Sequence, residues 1–174
     1  MVGELVLTER DRVSARTKND SVGIGSYNCD VHMAERIVVN VNGTHWVKNE
    51  GWLKELFQHT PWEIPFSALR PRAHEASNLL VPVALSASHV AFNGVRLEPT
   101  WSILGHAEGV AAAMAASTAN TKTEPGVRAA RVGDIDIVAL QDELRAQGQF
   151  VRANEIPLAA PPQSCTGKLT REGR

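Results

Sequence analysis

Cysteine is nearly absent: Cys29 and Cys165 are the only two in 174 residues. That excludes a disulfide framework and a cysteine metal cluster, and it leaves a reducing compartment as the default. An excess of charge of either sign is also missing. Eighteen lysines and arginines meet 19 aspartates and glutamates, for a net charge of −1. Nucleic-acid binding calls for a basic excess on one face, so no nucleic-acid partner is expected. Long apolar runs are lacking too. The longest, Leu79 to Leu85, is far short of the roughly 20 residues that span a bilayer, so no membrane is expected either. The N-terminus carries Glu4, Glu9, Arg10, Asp11 and Arg12, which leaves no signal-peptide core of about 7–15 apolar residues.

What is present describes an ordinary mixed domain. The apolar fraction is 43% and the charged fraction 21%, enough to bury a core. At about 150 residues per domain the length allows one domain with a remainder. It does not allow a dinucleotide-binding domain and a substrate domain together.

Along the chain, Val6 and Leu7 read as a short strand, followed by a solvated loop to about residue 20. Arg36 to Val41 reads as a strand. Asn42-Gly43 then signals a tight turn before Thr44 to Val47, which makes a β-hairpin. Pro61, Pro65 and Pro71 break helices and suit an extended crossing segment over 61–75. Asn78 to Leu85 reads as a buried strand whose pairing ends near Pro82. The strongest helix covers 99–118, with Pro99 in its first turn and an alanine-rich body. A second helix runs from about Asp134 to Gln147, with Gly148 as its cap. The tail 157–174, with Pro157, Pro161 and Pro162, is expected to be disordered.

Several groups carry chemistry. Gly23-Ile-Gly25 is part of a G-x-G-x-x-G fingerprint, but Asn28 stands where the third glycine belongs and no buried strand precedes it. A glycine-permitted bend is the better reading. Asp30 and His32 are two apart, so on a strand they share a face. They form either a hydrogen-bonded surface pair or an acid–base pair. The six histidines show no H-E-x-x-H spacing, so no metal site is expected, and a metal-dependent hydrolase stays a distant third reading. Ser88 and His89 are adjacent and would point apart on an extended chain, which argues against a nucleophile–base pair.

The most informative stretch lies between Pro82 and Pro99. About sixteen residues separate them, long for a connection in a compact domain. They include Ser86, Ser88, His89, Arg96 and Glu98. The helix N-terminus beyond them carries unpaired N–H groups and suits an anionic or carbonyl-rich ligand. Gly105, Gly109 and Ala113 make a smooth stripe on that helix, suited either to close packing on a sheet or to a flat cofactor.

These residues carry a family resemblance. NLLVPVALSASHVAF from Asn78, VRLEP from Val95 and ILGHAEG from Ile103 are similar to the C-terminal part of FAD-dependent oxidoreductases with a glutathione-reductase-type fold. DSVGIGSYNCDVH from Asp20, PWEIPFSAL from Pro61 and IDIVALQDELRAQG from Ile135 resemble further segments of that family, in the family's order. Val31, Ser67, Ala76 and His106 depart from its pattern, and Ser67 in place of arginine removes an anion-binding group.

The resemblance implies an α/β enzyme whose C-terminal part, α+β on its own, is this chain. Residues 1–75 would end the substrate-side domain, 76–120 would hold the last strand and the flavin-facing helix, and 121–156 the C-terminal helix. The adenine-dinucleotide fingerprint belongs upstream in such proteins. The expectation is therefore a C-terminal fragment, or a gene model begun at an internal Met1, from an enzyme that transfers a hydride between a small-molecule substrate and FAD. His89, Asp30 and His32 are the candidates for proton transfer. Ser86, Ser88, Arg96, Glu98, Pro99, Thr100 and Gly105 are the candidates for holding FAD. The alternative is a non-catalytic binding or structural remnant without cofactor. Oligomeric state and location are open.

Overall fold

A computed structural model of the chain describes residues 1–27, 33, 35–51, 60–120 and 131–157. The core is organised around strand β1, Ser21–Gly25, which is buried along its whole length. It pairs antiparallel with β4, Trp62–Pro65, with Gly23 opposite Ile64 and Gly25 opposite Trp62. A bulge falls between Ser21 and Gly23.

Both glycines of β1 are there because something large lies on them. A Cβ at Gly25 would sit 2.8 Å from the Trp62 ring. One at Gly23 would sit 2.9 Å from Ile103 Cγ2. The expected bend is thus a strand. Glycine serves close approach of a neighbour here, not a turn.

The neighbour over Gly23 is α3, Glu98–Asn120. Pro99 lies in its first turn, where a missing N–H costs nothing. Leu104, Ala107, Ala111 and Ala115 make its buried face, and these small side chains let the helix come close to β1. Trp62, Ile64, Phe66, Leu69, Leu140, Leu144 and Val151 complete the core. Burying each large side chain contributes about 1.5–3 kcal/mol.

Helix α4, Ile137–Ala146, is bounded by strong local signals. Asp136 caps it, its carboxylate accepting from the N–H groups of Val138 at 2.9 Å and Ala139 at 3.3 Å. Gly148 ends it at φ +84°. The Gln149 N–H then donates to Leu144 O and the Gly148 N–H to Arg145 O, both at 2.9 Å, as a glycine-stopped helix requires.

The hairpin forms as the sequence indicates: β2, Glu35–Val41, pairs with β3, Thr44–Glu50. Asn42 and Gly43 both take positive φ, 54° and 82°, the tight turn whose twist matches the strands. Among the described residues β2 and β3 pair only with each other.

Other expectations fail. Residues 78–85 are not a strand: Leu79 and Val83 are exposed and only Leu85 is fully buried. Pro82 lacks a donor, and among the described residues no strand runs alongside. The segment follows Leu69 instead, through Val81 N–H to Leu69 O at 2.8 Å and Ser86 N–H to Ala68 O at 2.8 Å. The supposed loop after Leu7 contains a short helix α1, Glu9–Val13. Its start is fixed by Asp11, which accepts from the Thr8 N–H and hydroxyl at 2.9 and 2.8 Å. Leu7 itself makes a single bridge with Ala87 and no strand. The 61–75 segment is extended only as β4, then turns at Phe66–Ala68. Most of the expected disordered tail, 158–174, lies outside the described residues, as does 121–130. Among the described residues no helix is long and apolar enough to cross a membrane.

The two glycine environments give opposite mutational outcomes. Gly25→Ala should destabilise by roughly 1–3 kcal/mol, because the Trp62 ring must shift. Gly109→Ala, where a Cβ meets nothing within 4 Å, should stabilise by up to about 1 kcal/mol through helix propensity. Urea unfolding of both variants checks this, and equal effects would refute the packing role of Gly25.

Candidate functional site

Six of the candidate residues, Ser88, His89, Arg96, Glu98, Pro99 and Thr100, lie where α2, His89–Phe92, turns into α3. Ser88 caps α2, its hydroxyl accepting from the Ala91 N–H at 3.3 Å. The chain then reverses tightly: the Val95 and Arg96 N–H groups both donate to Phe92 O at 3.0 Å. His89 is exposed at the start of α2, Arg96 is half-buried in the turn, and Glu98 and Pro99 are exposed at the start of α3. Thr100 is buried at 6% exposure. The Trp101 N–H returns to Leu97 O at 3.1 Å. Intrahelical geometry therefore leaves the Glu98 and Thr100 N–H groups without a helical acceptor. The Trp101 indole N–H is also buried and has no hydrogen-bond partner.

Gly105 lies further along α3 with nothing within 4 Å of a would-be Cβ. Among the described residues a Cβ at Gly109 likewise meets nothing within 4 Å. Ser86 is fully buried, and its hydroxyl accepts from the Gly3 N–H at 2.8 Å, which ties down the N-terminal segment. Asp30 and His32 lie outside the described residues. Among the described residues no three His, Cys, Asp or Glu side chains gather to hold a metal.

Two titrating groups of this helix were not read as sites in the sequence. Glu108 is 8% exposed, and its Oε1 has no partner. Burial pushes its carboxyl up to about 8, and the Val81 backbone N–H offsets only part of this. Its neighbours in the sequence are apolar, which was the available signal. His106 is the other. Its Nδ1 lies 2.5 Å from Gln149 Oε1 and its Nε2 lies 2.7 Å from Gln147 Oε1. Both amides are oriented by their other end: Gln149 donates to Val22 O at 2.6 Å and Gln147 to Glu143 at 2.7 Å. A neutral imidazole can donate from one nitrogen only, so two fixed acceptors favour the imidazolium. The hydrogen bonds to Gln149 and Gln147 accordingly raise the His106 pKa.

Among known proteins, the family model described as FAD dependent oxidoreductase matches residues 1–144. No curated protein and no solved structure matches the chain.

Both titrating groups make stability fall as pH rises. Between 4.5 and about 8, folded Glu108 holds a proton that the unfolded chain has lost, so stability declines through that window. The His106 contribution is complete below 6.5 and is lost as pH rises through its raised folded value. Thermal midpoints measured from about pH 5 to about pH 9 should therefore fall. Glu108→Gln should flatten the curve most, and His106→Ala should lower the midpoint chiefly on the acid side. A Glu108→Gln curve parallel to the wild type would show Glu108 to be ionised when folded.

Proposed function

The chain belongs to the FAD dependent oxidoreductase family, and from that premise we propose that it supplies the flavin-ring side of a hydride-transferring enzyme with a glutathione-reductase-type fold. Bound FAD supplies the hydride acceptor or donor for a small organic substrate.

The open first turn of α3 is the observation that carries this reading. Its N–H groups without a helical acceptor and the unpartnered Trp101 indole fit a carbonyl-bearing ring edge. The Glu98 carboxylate adds negative charge at the same end, so a neutral carbonyl fits better there than a phosphate. Arg96 brings a permanent cation beside it, suited to a ring carbonyl or an anionic substrate group. His89 is the exposed group able to move a proton opposite the hydride, with Asp30 and His32 as further candidates. Gly105 keeps the helix surface flat beyond the first turn.

The residues described do not fit the pyrophosphate end of the cofactor. Gly23 and Gly25 are buried in a strand beneath Ile103 and Trp62, and neither opens a helix N-terminus. The ADP-binding part of the site would then come from other residues, with this chain as the C-terminal part of the enzyme. The same observation favours the rival reading, a non-catalytic module that holds no cofactor.

Two measurements test these readings, and the second separates them. The purified 174-residue chain should carry little or no flavin absorbance, and stoichiometric FAD would overturn the placing of the ADP end elsewhere. In an enzyme completed by a strand–G-x-G-x-x-G–helix unit encoded upstream, Arg96→Ala should keep its FAD. It should also lose about 10- to 100-fold in flavin reduction rate, the loss of one charge-assisted hydrogen bond. Failure of the completed protein to bind FAD would favour the non-catalytic module.

A further inference from the structure

Arg12 is 7% exposed, although its helix α1 is only five residues long and otherwise mostly solvated. Its stem lies on Gly94: Arg12 Cδ comes 3.1 Å from where a Cβ would stand, and Trp62 Cζ2 comes 3.8 Å from the same point. The guanidinium stem and the indole thus meet at one glycine, in the turn between α2 and α3. Arg12 Nε and Nη1 are both buried and have no hydrogen-bond partner, and neither has the Trp62 indole N–H. Among the described residues these three buried donors have no acceptor, and they belong to two side chains that both lie on the Gly94 position.

The charge makes this more than a packing detail. A guanidinium cannot lose its proton in a protein. Two of its three nitrogens are buried without a partner, an unfavourable position for a fixed charge. Among the described residues no carboxylate pairs with it. Glu63, the buried carboxylate of β4, is committed elsewhere: it accepts from Lys18 N–H at 2.7 Å, Ala153 N–H at 3.2 Å and Arg152 at 3.3 Å. Asp11, next in the chain, is held by Lys18 and Thr8. The site lies against the turn that carries Arg96 and the helix that begins with His89.

We propose that Arg12, with the Trp62 indole N–H, binds an anionic oxygen group of the ligand, a carboxylate or a phosphate. Naming that ligand the substrate or the cofactor rests on the flavoenzyme reading; the anion site itself does not. A carboxylate would mark the substrate as an organic acid, and a phosphate would assign the site to the cofactor's phosphates or to a phosphorylated substrate.

Thermal shift on the full chain tests this without flavin. Sodium acetate, succinate, inorganic phosphate and ADP are titrated at constant ionic strength against sodium chloride. The acetate and succinate arms read a carboxylate ligand, and the phosphate and ADP arms a phosphate one. One class should raise the wild-type midpoint by roughly 5–10 °C at about 100 times its Kd. Arg12→Met keeps the stem and removes the charge, so it should be as stable as the anion-free wild type or more so, and it should lose the anion response. The Trp62 indole resonance, identified with Trp62→Phe, should move on addition of the same anion. That readout stands if Arg12→Met fails to fold. No response beyond chloride in the wild type, an unchanged response in Arg12→Met, or an indole resonance that stays fixed would each overturn the proposal. An anion response lost with Arg12 stands even where FAD binding fails, and its absence in a working flavoenzyme refutes this proposal alone.

Discussion

The structure depends on satisfying the backbone of one strand. β1 is buried from Ser21 to Gly25 and, among the described residues, has a strand neighbour on one side only. A buried carbonyl left without a partner costs about 1–3 kcal/mol. Glutamine side chains take the place of a second strand. Gln141 donates to Ser21 O and to Asn19 O, both at 2.9 Å, and Gln149 donates to Val22 O at 2.6 Å. Both glutamines come from α4 or the turn after it. The same need therefore places α4, ends it at Gly148 and brings the chain back past β1. Arg152 then reaches Asn19 O at 3.1 Å and the Glu63 carboxylate.

Once that edge is closed by side chains, the faces of β1 can be covered by bulk. Glycines on the strand and alanines on the helix set the spacing. Gly23 admits Ile103 and Leu104, while Gly25 admits Trp62. α3 is thereby pinned along its middle. Its first turn sits beside the α2 turn, where Gly94 meets both Trp62 and Arg12. The candidate site is a consequence of this packing, because the core that holds α3 in place also fixes the position of its first turn.

The sequence makes local features legible and long-range ones obscure. Asn42-Gly43 announces the hairpin because the turn needs positive φ at both positions. Pro99, the alanine run, Asp136 and Gly148 announce α3 and α4 because caps act on their own neighbours. β1 stays hidden because its glycines answer to Trp62 and Ile103, about 40 and 80 residues away. Residues 78–85 mislead in the opposite sense. An apolar run of strand length says nothing about whether a strand stands beside it, and half of this one faces out. His106 is visible as a departure from the family pattern, but the two glutamines that grip it are recognisable only once Gly148 has folded the chain back. Arg12 is the least legible: in a stretch dense with charge it looks solvated, and only α1 folding against β4 and α2 buries it.

Among the described residues three ionisable side chains end up buried, Glu63, Glu108 and Arg12, and each meets burial differently. Glu63 keeps its charge company with two backbone N–H groups and Arg152. Glu108 has the Val81 N–H and apolar neighbours, and a carboxyl so placed can take a proton and become neutral; its pKa near 8 expresses that choice. Arg12 has neither remedy. No carboxylate among the described residues reaches it, and a guanidinium does not titrate in the accessible range. Of the three, Glu63 and Glu108 are reconciled inside the chain, by pairing and by protonation. The third is left for a partner from outside the described residues, and its stem lies on Gly94 in the turn between α2 and α3.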